Sequence, residues 1–184
     1  MKNIFVLLFA LILMSASNTT GKYMTKNGKI SFYSDAPLEK IEAKNSQVNI
    51  AIDSQTGDVV FKVLIKSFVF EKALMQEHFN ENYLESDKFP TSSFKGKITN
   101  ITDIKFDKSG SYIAKVAGKL EIHGITKEVT SQGTITVSDA GLNVKTKFKI
   151  KIGDYEITIP GAVTGKIAEE VEISVDADLK PITK

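Results

Sequence analysis

The chain has 184 residues, 42% of them hydrophobic and 25% charged, the balance of an ordinary globular protein rather than a disordered, collagenous or multispanning membrane chain. Lys and Arg total 24 against 22 Asp and Glu, a formal net charge of +2, so nothing in the charge calls for nucleic acid or an anionic surface as partner. The absence of cysteine excludes disulfides, thiolate nucleophiles, iron–sulfur clusters, Cys-ligated zinc and a lipid-modified N-terminal cysteine.

The first element in chain order is a removable one. Lys2 precedes an uninterrupted apolar run over residues 4–14, and the small residues Ser15, Ala16 and Ser17 follow. That three-part pattern predicts a signal peptide over residues 1–17, cleaved after Ala16 or Ser17. The run is far shorter than the ~20 apolar residues of a spanning helix, and no later segment approaches that length. Residues 18–184 are therefore expected to form one soluble domain, periplasmic or secreted after cleavage.

From there the dominant pattern is period-two alternation, the mark of strands with one buried and one wet face. Strands are predicted over 29–34, 47–53, 59–68, 93–106 with an irregularity near Thr99 and Asn100, 112–122, 129–137, 145–152 and 170–179. In the seventh, Thr146, Phe148, Ile150 and Ile152 share one face and Lys145, Lys147, Lys149 and Lys151 the other. In the eighth, Val171, Ile173, Val175, Ala177 and Leu179 oppose Glu170, Glu172, Asp176 and Asp178. A lysine row complements a carboxylate row, so these two strands are predicted to pair; two solvated faces that never meet are the alternative. Ser54-Gln-Thr-Gly57, Asp107-Lys-Ser-Gly110 and Ser138-Asp-Ala-Gly141 supply turn chemistry between strands. Residues 71–86 break the alternation, with Met75, Phe79 and Tyr83 on one helical stripe and Leu74 and His78 beside it, and the Lys88-Phe-Pro90 stretch ends that helix. Residues 160–166 are expected to be a rim loop. The fold class is all-β: eight antiparallel strands as a sandwich or closed barrel, with one helical insertion.

No constellation for chemistry accompanies these elements. His78 and His123 are far apart, without metal-ligand spacing, and read as polar residues at element ends satisfied by local hydrogen bonds. No catalytic residue, metal site or cofactor motif is predicted: nucleophile elbows, Ser-x-x-Lys pairs and phosphate loops are absent. The Asp53–Asp58 and Asp176–Asp178 pairs read as surface charge. What stands out is apolar: Phe61, Phe68, Phe70, Phe79, Tyr83, Phe89, Phe94, Phe106, Phe148 and Tyr155 are expected to point to one interior. An eight-stranded barrel either fills that interior with side chains or holds one small ligand, and on the residues alone the filled core is the default.

The run over residues 68–98 resembles the YceI-like family of bacterial periplasmic proteins, through His78, Asp87, Phe89-Pro90 and Phe94. A second signature of that family, on the following strand, matches Gly118, Leu120, His123, Gly124, Ile125, Thr126 and Lys127. The resemblance implies a lipocalin-like, extended eight-stranded barrel binding a polyisoprenoid or similar long-chain amphiphile, and no catalysis. The partner is then a long-chain isoprenoid or fatty-acyl-type lipid, and a homodimer is compatible with this reading. Under it the lipid tail is expected to lie among Phe61, Val63, Ile65, Val116, Leu120, Phe148 and Ile150, with Phe68 at the lining or the mouth. Phe70, Met75, Phe79, Tyr83, Phe94 and Tyr155 are expected to shape the mouth. The rival readings are a filled-core barrel acting as a protein-interaction or stress-response module, and a lipid hydrolase or isomerase built on His123 or His78.

Overall fold

Eight long strands close into one antiparallel ring in the computed structural model, which describes residues 19–183. The predicted signal segment lies outside the described residues. The strands are β1 (Thr19–Asp35), β2 (Lys40–Asp53), β3 (Asp58–Leu64), β5 (Thr91–Ile98), β6 (Gly110–Ile122), β7 (Ile125–Ser138), β8 (Gly141–Lys151) and β9 (Glu170–Thr183). A two-residue strand, β4 (Val69–Phe70), adds to β2 through Ala43 and Lys44. Going round, β1 pairs with β9, then β8, β7, β6, β5, β3 and β2 follow, and the β1–β2 pairing closes the circle. Closure removes the exposed strand edges that an open sheet would carry.

The alternation maps onto this ring. β2 buries Ala43, Asn45, Val48, Ile50 and Ile52 and exposes the residues between them, with the period slipping at Ser46 and Gln47. Opposite that slip the β1–β2 register shifts on both sides of Gly28. Asn45, buried at the slip, is satisfied locally: its amide donates to the Leu64 carbonyl at 2.9 Å and its Oδ1 accepts from the Gln47 N–H at 2.8 Å.

Three predicted elements end earlier than expected. The third strand stops at Leu64 and passes into a 3-10 turn at Ile65–Ser67. The fourth stops at Ile98, because the Asn100 side chain takes over the ladder: it donates to the Ile113 carbonyl at 3.0 Å and accepts from the Lys115 N–H at 2.8 Å, freeing the backbone to turn away. The helical insertion is α1 (Ala73–His78) followed by one π-helical turn at Phe79–Tyr83, closed by Leu84 N–H donating to the Phe79 carbonyl at 2.9 Å.

The lysine and carboxylate rows meet as predicted. β8 and β9 pair with Lys145 opposite Asp176 and Lys149 opposite Glu172. The charges then join as Lys145–Asp176 at 3.2 Å, Lys147–Glu172 at 2.8 Å and Lys149–Glu170 at 3.0 Å. The hydrogen bond from Lys147, with its charge and that of Lys149, holds the Glu172 carboxyl below its ordinary range. Burial pushes Asp176 up, but Asn143, Lys145 and Lys29 together outweigh it and hold this carboxyl low. A depressed carboxylate contributes stability above its unfolded-state value and loses it as pH falls through the folded value. Glu172→Gln is therefore expected to lower the Tm at pH 7 by no more than a few degrees. The gap from the wild-type protein should close on acidification through the carboxylate range, read by thermal denaturation across pH; a gap that persists in acid would exclude the ion pairs as its cause.

Candidate binding cavity

The inward faces of the ring do not all meet. Two buried clusters form, one around Val48, Ile50, Ile135, Val137, Leu142 and Leu179, the other around Ile65, Leu120, Ile150, Ile152, Tyr155 and Val171. A cavity of about 340 Å³ is bounded by residues of both clusters, and every one of the eight long strands contributes to its wall. Phe61, Phe94, Val116, Phe148 and Ile173 point to the inside of a closed ring yet are only half-buried, whereas Ile150, two residues from Phe148, is buried. Their exposure is to the hollow.

The helical insertion lies over this space, and an aromatic cluster pins it there. The Phe79 ring stacks on Phe32 at 5.4 Å and 20° and meets Phe68 at 5.5 Å and Phe70 at 5.0 Å, while Phe32 itself meets Phe68 and Phe70 at 5.7 Å each. Polar contacts support the same placement: the Phe70 N–H donates to Gln76 Oε1 at 3.2 Å, and Lys72 pairs with Glu39 at 3.1 Å. Met75, His78, Phe79, Tyr83 and Leu84 of the insertion line the cavity, with Val163, Lys166 and Ile167 from the 160s loop. Burial raises the Tyr83 phenol above its ordinary value, so the wall there stays uncharged.

Of the residues expected to line the interior or its mouth, Phe61, Val63, Ile65, Phe68, Phe70, Met75, Phe79, Tyr83, Phe94, Val116, Leu120, Phe148 and Ile150 all border the cavity. Tyr155 does not. β8 ends at Lys151 and a 3-10 turn follows at Ile152–Tyr155, so alternation no longer carries its ring inward; it is buried in the second cluster, its phenol raised by burial and by Asp154. Phe89 leaves the predicted interior and packs on His123, whereas Phe106 stays against the first buried cluster beside Tyr23 without bordering the cavity. Ile30 and Phe32 of β1, and Ile173 and Val175 of β9, line the cavity without having been singled out. Their alternation was visible, but nothing in the pattern tells a hollow-facing residue from a core one.

The wall has a polar notch between β7 and β8. The β7–β8 ladder stops at Gly133 opposite Thr146, and the Ser131 and Thr146 hydroxyls, 3.0 Å apart, sit at the point of divergence. Thr146 also donates to the Gln132 carbonyl at 2.9 Å.

The two histidines are placed differently. His78 is an exposed residue of the cavity rim. His123 is nearly buried; its Nε2 lies 2.8 Å from Glu85 Oε2, its Nδ1 lies 3.2 Å from the Tyr155 carbonyl, and its ring meets Phe89 at 4.6 Å. Its partners are distant in sequence, not local as expected. Among the described residues no group of His, Asp and Glu is arranged to hold a metal ion. Asp53 accepts from the Gln55 and Thr56 N–H groups in its turn, and Asp176 and Asp178 share the Asn143 amide on the outer face.

The sequence profile of the YceI-like domain matches residues 8–179. This chain belongs to the YceI-like family. No curated protein matches it in sequence. Among solved structures, it is similar to a polyisoprenoid-binding domain from Saccharophagus degradans implicated in plant cell wall breakdown, with a TM-score of 0.76 at 12% identity over 88% of this chain and 99% of that one. BcnA of Burkholderia cenocepacia gives 0.68 at 19% identity, covering 83% and 94%. The YceI protein of Campylobacter jejuni gives 0.56 at 16% identity, covering 77% and 84%. At these identities the likeness is one of fold. The YceI-like signature residues acquire a geometry here: His123 (φ +53) and Gly124 (φ +76) are the two central residues of the β6–β7 hairpin between Ile122 and Ile125.

Two substitutions probe this arrangement. Phe79→Ala should remove the hub of the four-ring cluster and destabilise the protein by about 2–4 kcal/mol in urea denaturation. Gly124→Ala places a Cβ at positive φ and 2.6 Å from Phe89 Cε1, and should cost about 1–3 kcal/mol. Loss of under ~0.5 kcal/mol in either would show that the ring contacts or the turn geometry do not hold the structure.

Proposed function

We propose that this YceI-like barrel binds one long-chain apolar lipid, a polyisoprenoid or similar amphiphile, as a carrier, store or sensor in the cell envelope, and that it is not an enzyme. The observation that carries the reading is the half-buried state of inward-facing Phe61, Phe94, Val116, Phe148 and Ile173. A filled-core barrel serving only as an interaction module has no use for apolar side chains left facing empty space, since each forfeits packing on one side. A long apolar chain supplies the missing contacts. At about 0.8 kcal/mol per buried CH₂, ten or more such groups support micromolar or tighter binding after association costs, with no charged anchor. The name of the Saccharophagus degradans domain points to the same ligand class. Export is part of the proposal: the N-terminal segment has the form of a signal peptide, and no described helix is long and apolar enough to cross a membrane.

The proposal is tested by organic extraction of the natively purified protein and mass spectrometry, which should yield one class of long-chain species in near-stoichiometric amount. Val116→Trp adds bulk at a cavity-facing position and should weaken rebinding of the extracted lipid at least about tenfold while leaving the fold intact by circular dichroism. Repeated extraction of nothing, with equal behaviour of Val116→Trp and wild type toward added long-chain lipids, would refute it.

A further inference from the structure

Three non-glycine residues among those described have left-handed backbone: Glu85 at φ +41, His123 at φ +53 and Glu156 at φ +57. The turns that carry them converge on one imidazole. Glu85 gives its carboxylate to His123 Nε2 at 2.8 Å, and Tyr155, the residue before Glu156, presents its carbonyl to Nδ1 at 3.2 Å. Strained backbone of this kind persists where the surrounding contacts over-determine it. The residues sit on three separate turns: the one leaving the helical insertion, the β6–β7 hairpin, and the one after β8. Each turn also places a cavity-lining side chain beside the strained residue, namely Leu84, Ile122 and Ile157.

Both ring nitrogens face acceptors. The Tyr155 carbonyl only accepts, and an ionised Glu85 only accepts, so a neutral imidazole, with one N–H, satisfies one of them. The imidazolium satisfies both. Glu85 is the charged group in contact with the ring. From the same turn, Asp87 is engaged by Lys66, and the Lys88 ammonium lies 4.8 Å over Phe89, whose ring abuts the imidazole. The turn after β8 adds Asp154 and Glu156 beside Tyr155, whose phenol stays neutral.

We propose that His123 is a positioning residue for the lipid cavity. Doubly protonated, it clamps the three turns and holds the helical insertion over the hollow; loss of one proton releases one of them and speeds lipid exchange. The exchange step rests on the lipid-binding reading above; the clamp does not.

Two measurements separate them. Hydrogen exchange of residues 73–89 in the ligand-free protein, corrected for intrinsic rates, is followed from about pH 5.5 to 8, where imidazoles titrate. Protection in wild type should fall about tenfold or more as pH rises, the loss expected for one charge-assisted hydrogen bond. His123→Gln should be weakly protected with no pH step. Glu85→Gln replaces the charged acceptor at Nε2 by a neutral one and should shrink the step. His78→Gln, the other imidazole, should keep it. The second readout is release of all-trans-retinol, an uncharged fluorescent isoprenoid alcohol, which should accelerate about tenfold over the same interval in wild type and be fast and flat in His123→Gln. A flat wild-type profile, or a step that survives unchanged in His123→Gln or Glu85→Gln, would overturn the proposal. Failure of every variant and wild type to bind retinol or the extracted lipid would instead overturn the carrier reading, with the exchange data still deciding the clamp.

Discussion

A barrel that keeps space inside must be held by its wall, and the closed hydrogen-bonded ring is the constraint on which the other features of this protein depend. Eight strands give an interior just wide enough to be filled by side chains or to admit one narrow ligand. Here the two ends of the interior are filled and the middle is not. The ladder compensates by its length: β6 and β7 are paired from Gly110–Val137 to Ile122–Ile125 without a break, and β8 and β9 from Leu142–Leu179 to Lys151–Glu170. Because the ring is closed, register is collective. A slip at one pair would have to be absorbed by every other pair or by opening the circle, so a wall of this kind can be well specified without a close-packed centre.

The arc between β7 and β8 departs from that logic at one end of the barrel. Between β7 and β8 only the stretch from Gly133–Thr146 to Ser138–Gly141 is paired, and below it the two strands diverge. The segment after β8 occupies the space, with Ile152, Tyr155 and Ile157 packing in the same cluster as Ile122, Ile125 and Val129. Tyr155 is thereby drawn out of the cavity wall and into a supporting position, where its carbonyl meets His123. The strained turns, the family signature and the gap in the ladder are thus parts of one local solution: the barrel closes at this end through side chains and turns instead of strand pairing.

How much of this could be read from the sequence follows from which forces are local. The strands were legible because alternation is a property of consecutive residues, and the β8–β9 pairing because Lys145–Lys151 and Glu170–Asp178 carry opposite charges on the same period. The strand ends were less legible: Asn100 replaces the ladder with its side chain, and only the fold shows that the Ile113 carbonyl and Lys115 N–H are within its reach. Thirteen of the fourteen residues assigned to the lining or mouth border the cavity because side-chain direction follows from alternation and from the helical stripe Met75–Phe79–Tyr83. Tyr155 does not border it because its turn ends the alternation. The hollow itself was not legible. Phe148 and Ile150 obey the same pattern, and whether something stands opposite each depends on strands distant in sequence.

The consequence for energetics is that the empty middle is not neutral. Half-buried Phe61 and Phe94, adjacent across the β3–β5 ladder with rings 6.2 Å apart, touch each other but have open space on their inner side. Each such residue has paid the ordering cost of a core side chain without its full packing return. A chain-like apolar ligand would restore those contacts along the whole cavity at once, and any molecule that binds the folded ring and not the unfolded chain stabilises it by mass action. The same reasoning sets a limit on the architecture. The more of the interior is left to the ligand, the more the ligand-free barrel must draw on its ladder, its outer ion pairs and the clamp at His123. Those supports lie on the wall and at its end, outside the unfilled middle.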